Sequence, residues 1–149
     1  LYLGPLEPTL EGFDEHVLHA PSSPLSIELC SFYYGDKPEI RSREDLDGKT
    51  IIIIRGYTYG GLVNYIMDEA NNICKFDVGS FDQALNMLRK GRADYILDYR
   101  KSAETYLAAE RDPDLRHSTL SSVDLYFMVS RSAPEAEAIV KKIEAQLFR

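Results

Sequence analysis

Four isoleucines in a row, Ile51 to Ile54, constrain this chain more than any other feature. β-Branched side chains are stiff at χ1 and favour extended backbone. A run without alternation needs apolar cover on both sides, which a strand inside a parallel sheet has and a half-exposed strand lacks. Gly48 precedes the run and Gly56 stops it. After Gly60 and Gly61 the period changes: Leu62, Tyr65, Ile66 and Ala70 recur at helical spacing until Asn71 and Asn72. Ile73 to Val78 reads as a second strand. Ser80 opens a second helix with Gln83 three residues on, the pattern of a capping box, and Phe81, Ala84, Leu85 and Leu88 form its apolar stripe. Gly91 suits a left-handed helix stop.

The alternation continues. Ala93 to Asp98 predicts a third strand and Ser102 to Glu110 a third helix. Residues 111–118 read as a polar loop, and Leu125 to Val129 as a fourth strand. A last helix carries Pro134 in its first turn and ends near Phe148. Upstream, Pro5, Pro8, Pro21 and Pro24 break residues 1–24 into loops around short extended pieces, and Ser26 to Tyr34 alternates as a strand ending at Gly35. Strands alternating with helices predict the α/β class, an open, mostly parallel sheet flanked by helices with right-handed crossovers.

A chain of 149 residues makes one domain, or one complete lobe with parts of another. Lys and Arg number 17 against 24 Asp and Glu, a net charge of −7, and neither Lys nor Arg occurs in the first 36 residues. That balance argues against nucleic acid, which needs clustered Lys and Arg. No apolar run approaches the roughly 20 residues that span a bilayer, so direct membrane insertion is not expected. The chain starts at Leu1 on strand-like residues, with neither Met nor a signal peptide, and so reads as processed or cut from something longer. Cys30 and Cys74 read chiefly as buried free thiols, with one disulfide or a reactive site as alternatives. His16 and His19 beside Asp14 and Glu15 leave a metal site open against solvated histidines. The close ligand spacing of a zinc site is absent, and no cofactor is called for.

In an open parallel sheet, ligands sit beyond the carboxyl ends of the strands. That rule selects Gly56, Tyr57, Thr58, Tyr59 and Gly60 after the first strand, Gly79 and Ser80 after the second, and Asp98 and Tyr99 after the third. Amides at the helix start after Gly61 favour an anionic group, and Thr58 adds a hydroxyl; the alternative is a tight turn capped by Thr58. Asp94, Ile96 and Asp98 share one face, with Asp98 at the functional end. Its partner is a ligand ammonium, or else Arg100 or Lys101 folds back, or the carboxylate is simply exposed. Tyr57, Tyr59 and Tyr99 either stack on a ligand or fill half-buried surface. No Ser-His-Asp set, reactive cysteine or metal constellation supports an enzyme.

The run Gly48 to Gly61, GKTIIIIRGYTYGG, resembles the start of lobe two in the bacterial extracellular solute-binding proteins of family 3, the periplasmic receptors of amino-acid ABC transporters. Asp45-Leu46 before it, the helix at Ser80 to Leu88, Gly91-Arg92-Ala93-Asp94 and the strand Tyr95 to Asp98 follow in family order. The resemblance covers roughly residues 20–148. It implies a type II periplasmic-binding-protein fold with lobe one incomplete: residues 1–25 its end, 26–122 lobe two and 123–149 the return segment.

It also implies a periplasmic receptor that passes a small polar ligand, an amino acid or amine, to a membrane transporter permease. Thr58 matches the residue that holds the ligand α-carboxylate, and Asp98 the one that holds the α-ammonium. Tyr57 and Tyr59 flank Thr58, where the family often has smaller or different polar residues. The family's arginine after a Thr-Glu pair has no counterpart in Thr9-Leu10-Glu11-Gly12-Phe13, and Gly4-Pro5-Leu6-Glu7 replaces the serine-rich segment before it. Acids without that arginine favour a cationic ligand. Other readings are a sensory module of a membrane receptor, a dehydratase on the same fold, or a degenerate member without a ligand.

Overall fold

The computed structural model describes residues 1–6, 11–109 and 112–147. In chain order the elements are β1 (Tyr2–Pro5), α1 (Phe13–His16), β2 (Val17–His19), β3 (Leu25–Tyr34), β4 (Thr50–Ile54), α2 (Leu62–Met67), β5 (Cys74–Val78), α3 (Phe81–Arg89), β6 (Tyr95–Tyr99), α4 (Arg100–Ala109), β7 (Leu115–Ser130) and α5 (Ala136–Leu147). The chain divides into two compact units, Leu1–Ile27 with Val123–Arg149, and Glu28–Ser122.

In the Glu28–Ser122 unit the strand order is β7–β3–β6–β4–β5. β4 pairs in parallel with both β5 and β6, while β3 runs antiparallel to β6. The class is α/β as expected, with antiparallel strands beside the parallel trio. The isoleucines are buried on both faces, as a run without alternation requires. Ile52 and Ile54 pack with Phe32, Phe81, Leu85 and Ile96; Ile51 and Ile53 pack on the other face with Leu29, Tyr59, Ile66 and Leu97. Each fully buried isoleucine contributes about 1.5–3 kcal/mol.

The helix ends show which local signals hold. Ser80 Oγ accepts from Gln83 N at 3.3 Å, as expected, but Gln83 Oε1 accepts from Gly79 N at 2.9 Å, so the reciprocal bond lands one residue upstream. Gly91, at φ 68°, closes α3 with its N–H on Leu88 O at 2.9 Å and Arg92 N–H on Met87 O at 3.2 Å. α2 is shorter than its apolar spacing predicts. Asp68 accepts from Ala70 N at 3.0 Å and turns residues 69–71 into a separate 3-10 segment.

The expected fourth parallel strand is not formed. Leu125 to Val129 is the end of β7, which pairs antiparallel with β1 and β2 in the other unit. Residues 115–118, expected in a loop, already belong to β7. Ser118 fits inside because its hydroxyl donates to Ile40 O at 3.0 Å and lies 3.0 Å from Ser31 Oγ. In the same terminal unit α5 lies against β2. Ser22 Oγ donates to Glu144 Oε1 at 2.6 Å there.

Both cysteines are free, and only Cys30 is buried; Cys74 is exposed at the sheet margin, contrary to expectation. Burial pushes the Cys30 thiol pKa up.

A Cβ on Gly91 meets no atom within 4 Å, so substitution there tests backbone conformation alone. Gly91→Ala should lower unfolding free energy by about 1–2 kcal/mol, read from urea denaturation. An unchanged midpoint would contradict this account of the helix end.

Candidate ligand-binding site

β4 and β6 are adjacent and parallel, with Ile53 opposite Leu97. Their carboxyl ends open at one edge of the sheet, so residues 55–61 and Asp98–Tyr99 come together there. The rings of the three tyrosines meet there: Tyr57 and Tyr59 lie 5.7 and 5.9 Å from Tyr99, and 5.8 Å from each other.

The three tyrosines differ in role. Tyr57 is 38% exposed and Tyr59 only 2%. Tyr99 is half-buried. The Tyr59 hydroxyl donates to Leu97 O at 2.9 Å and accepts from Ile54 N at 2.7 Å. Burial pushes its pKa up. The phenol is committed to backbone, so Tyr59 positions the loop instead of offering its hydroxyl to a ligand. Its backbone is left-handed at φ 53°, followed by Gly60 at 65° and Gly61 at 95°. A non-glycine residue there costs about 1–2 kcal/mol. Two buried hydrogen bonds, each worth about 0.5–1.5 kcal/mol net, offset that strain.

Thr58 is half-buried, and its carbonyl accepts from Gly61 N at 3.1 Å and Val63 N at 3.2 Å. These are among the amides the sequence suggested would face an anion. Chain reversal through the glycines turns them inward, and α2 has only six residues to carry a dipole.

Asp98 is 2% exposed and points to the face of Ile96, whereas Tyr99 points to the face of Leu97. Its Oδ1 accepts from Tyr99 N at 2.7 Å. Arg100, the alternative partner, binds Glu28 at 2.9 Å and Glu104 at 3.0 Å instead. Burial raises the Asp98 pKa from 3.8 to about 6, partly opposed by the Tyr99 amide. Among the described residues no cationic side chain pairs with Asp98, so burial dominates and the Tyr99 amide opposes it only in part.

Asp94, four residues back on the same face, is satisfied by Thr50 N at 2.9 Å and Lys37 Nζ at 3.4 Å. Beside it, at the opposite edge of the sheet, is a cavity of about 510 Å³ lined by Tyr34, Lys37, Arg89, Asp94 and Asp112 among others. Two of its charges pair across it: Asp112 accepts from Tyr34 Oη at 2.5 Å and Arg89 Nη2 at 3.0 Å. Sequence pattern signalled neither this cavity nor the Tyr59 bridge. Among the described residues no group of His, Cys, Asp and Glu could hold a metal ion. Glu7, Thr9 and Leu10 lie outside the described residues.

Solved structures decide the fold. The GluR0 ligand-binding core, in complex with L-glutamate, superposes with a TM-score of 0.73 at 16% identity, over 97% of this chain and 63% of that one. The holo arginine-binding protein ArgBP from T. maritima gives 0.65 at 23% identity, over 93% and 58%. The periplasmic domain of B. pertussis BvgS gives 0.61 at 16%, over 97% and 27%. This is the type II periplasmic-binding-protein fold. The chain spans about three fifths of the length of the first two. No protein-family model and no curated protein matches the sequence. Among the described residues no helix is long and apolar enough to cross a membrane.

Two predictions follow from the geometry. Tyr59→Phe orphans Ile54 N and Leu97 O and should lower unfolding free energy by about 1–3 kcal/mol, measured by chemical denaturation. The second concerns pH. Folded Asp98 holds its proton more tightly than the unfolded residue, so stability falls as pH rises from 3.8 to about 6, and stays lower above. The shift corresponds to roughly 3 kcal/mol. Asp98→Asn should flatten that segment of the stability–pH curve; an unchanged slope would show that Asp98 is not the group responsible.

Proposed function

We propose that the chain is part of a two-lobed periplasmic solute receptor that closes on a small polar ligand bearing a protonated amine, an amino acid or amine, and presents it to a membrane transporter permease. The observation that carries this reading is Asp98, a buried carboxylate with no cationic partner among the described residues, at the end of β6 beside the loop after β4. An ammonium brought to Asp98 supplies the missing charge. In this reading the ligand reaches round the strand end from the Asp98 face to the loop on the Leu97 face, where Thr58 serves a polar or carboxylate group, Tyr57 and Tyr99 border it, and Tyr59 holds the loop. The Glu28–Ser122 unit is lobe two in this reading, and the terminal unit is the portion of lobe one present in the chain.

Ligand binding then biases an open–closed equilibrium, and no covalent step is needed. Likeness in fold to structures holding glutamate and bound to their solute supports a binding role. The acidic first 36 residues, without Lys or Arg, favour a cation. A second reading, a sensory domain of a membrane receptor, draws support from the likeness to the BvgS domain. Sequence on either side discriminates the two: a transmembrane helix followed by a signalling domain favours the sensor.

Calorimetry of the full-length protein against amino acids and primary amines tests the ligand class. An amine-bearing ligand should bind more tightly as pH rises through about 6, because the charged form of Asp98 is the one that pairs. Asp98→Ala should weaken it about tenfold to a hundredfold, the value of a charge-assisted hydrogen bond. Retained affinity in that variant would reject the assignment.

A further inference from the structure

β5 ends the strand order β7–β3–β6–β4–β5, and among the described residues no strand pairs with its outer side. On the inner side Cys74 N donates to Lys49 O at 2.9 Å, and Arg55 N donates to Val78 O at 2.8 Å. Backbone groups alternate along a strand, so Cys74, Phe76 and Val78 turn their N–H and C=O toward β4. Lys75 and Asp77 turn theirs outward, leaving two donors and two acceptors on the open edge. Arg55 Nη2 reaches the Asp77 carbonyl at 3.5 Å, a long contact from an exposed side chain that yields to a better donor. Phe76 is 39% exposed at the middle of this edge.

We propose that β5 is the surface through which two copies of this chain associate, strand to strand and antiparallel, about a two-fold axis at Phe76. Three registers keep the outward backbone groups in hydrogen-bonded pairs about such an axis. Centring on Lys75 sets Lys75 against Lys75 of the second copy, and centring on Asp77 sets two aspartates together; both are repulsive. Centring on Phe76 sets Lys75 against Asp77 twice and completes four backbone hydrogen bonds. The charges therefore select one register. Lys75 and Asp77 already lie within 2.5 Å of each other in one chain, and this register converts that pair into a four-charge ladder across the axis. The two Phe76 residues become a non-hydrogen-bonded pair, the closest kind in an antiparallel ladder, and shield each other from water. A closed two-fold contact uses up both edges, so growth stops at the dimer. The strand has five residues, so the contact is small and the association weak and concentration-dependent.

The test uses the intact chain. Sedimentation velocity over a wide concentration range should show a monomer–dimer equilibrium and no larger species. In a Cys74→Ser background, Phe76→Cys should form an intermolecular disulfide on mild oxidation, because its two-fold mate is directly opposite, whereas a cysteine at exposed Glu69 should not. Lys75→Asp should slow trapping about tenfold, and Lys75→Asp with Asp77→Lys should restore it. Folding of each variant is checked by its melting curve. A monomer at all concentrations, trapping at Phe76 no faster than at Glu69, or no response to the single charge reversal would overturn the proposal. A purely monomeric chain would leave the edge to a different partner.

Discussion

One phenol holds the carboxyl edge of the central sheet together. The Tyr59 hydroxyl sits between the amide of Ile54 on β4 and the carbonyl of Leu97 on β6, and takes one bond from each side. It ties the ends of two parallel strands at the point where the regular ladder stops. It also restrains a turn of three successive left-handed residues that would otherwise relax. The exposed part of the site depends on it. Tyr57 stands where it does because Tyr59 is anchored, and Tyr99 packs on both rings. A buried hydroxyl with both bonds made gives a unique geometry, because any displacement leaves a donor and an acceptor dry and unpaired.

Two carboxylates, Asp94 just before β6 and Asp98 within it, show how position decides chemistry. Asp94 and Asp98 point to the same face, four residues apart. Asp94 is part of the fold, bridging the start of β4 through Thr50 and meeting Lys37. Asp98 has the neighbouring amide and, among the described residues, no cation, and burial holds its proton to about pH 6. Such a group weakens the empty protein when charged. It becomes an asset only when something positive arrives, so ligand affinity and empty-state stability are opposed through one proton.

Much of the fold was legible. Ile51–Ile54 announced a strand covered on both faces, Ser80 and Gly91 marked the limits of α3, and the alternation of elements gave the α/β class. The sequence placed the loop after β4 and the end of β6 on one edge, where the rings meet. Less was legible where a local signal competed with long-range pairing. Leu125–Val129 looks like any short apolar strand, and nothing local shows that it continues from Leu115 and pairs antiparallel with the first strands. Cys74 sits in an apolar run but falls on the last strand of the sheet, where it is exposed. Asp68 ended α2 early by turning its own carboxylate onto Ala70.

The sequence by itself determined the periods, the caps and the order of elements, because these depend on residues within one or two turns of each other. Tertiary structure alone decided which polar groups are satisfied. Tyr57, Tyr59 and Tyr99 are the same residue type in the same short loops, yet one phenol closes the sheet and another faces water. Asp94 and Asp98 are equally charged on paper. Burial and partners come from strands and loops far apart in the chain, and hydrogen bonding in a dry interior depends on that arrangement rather than on any neighbour in sequence.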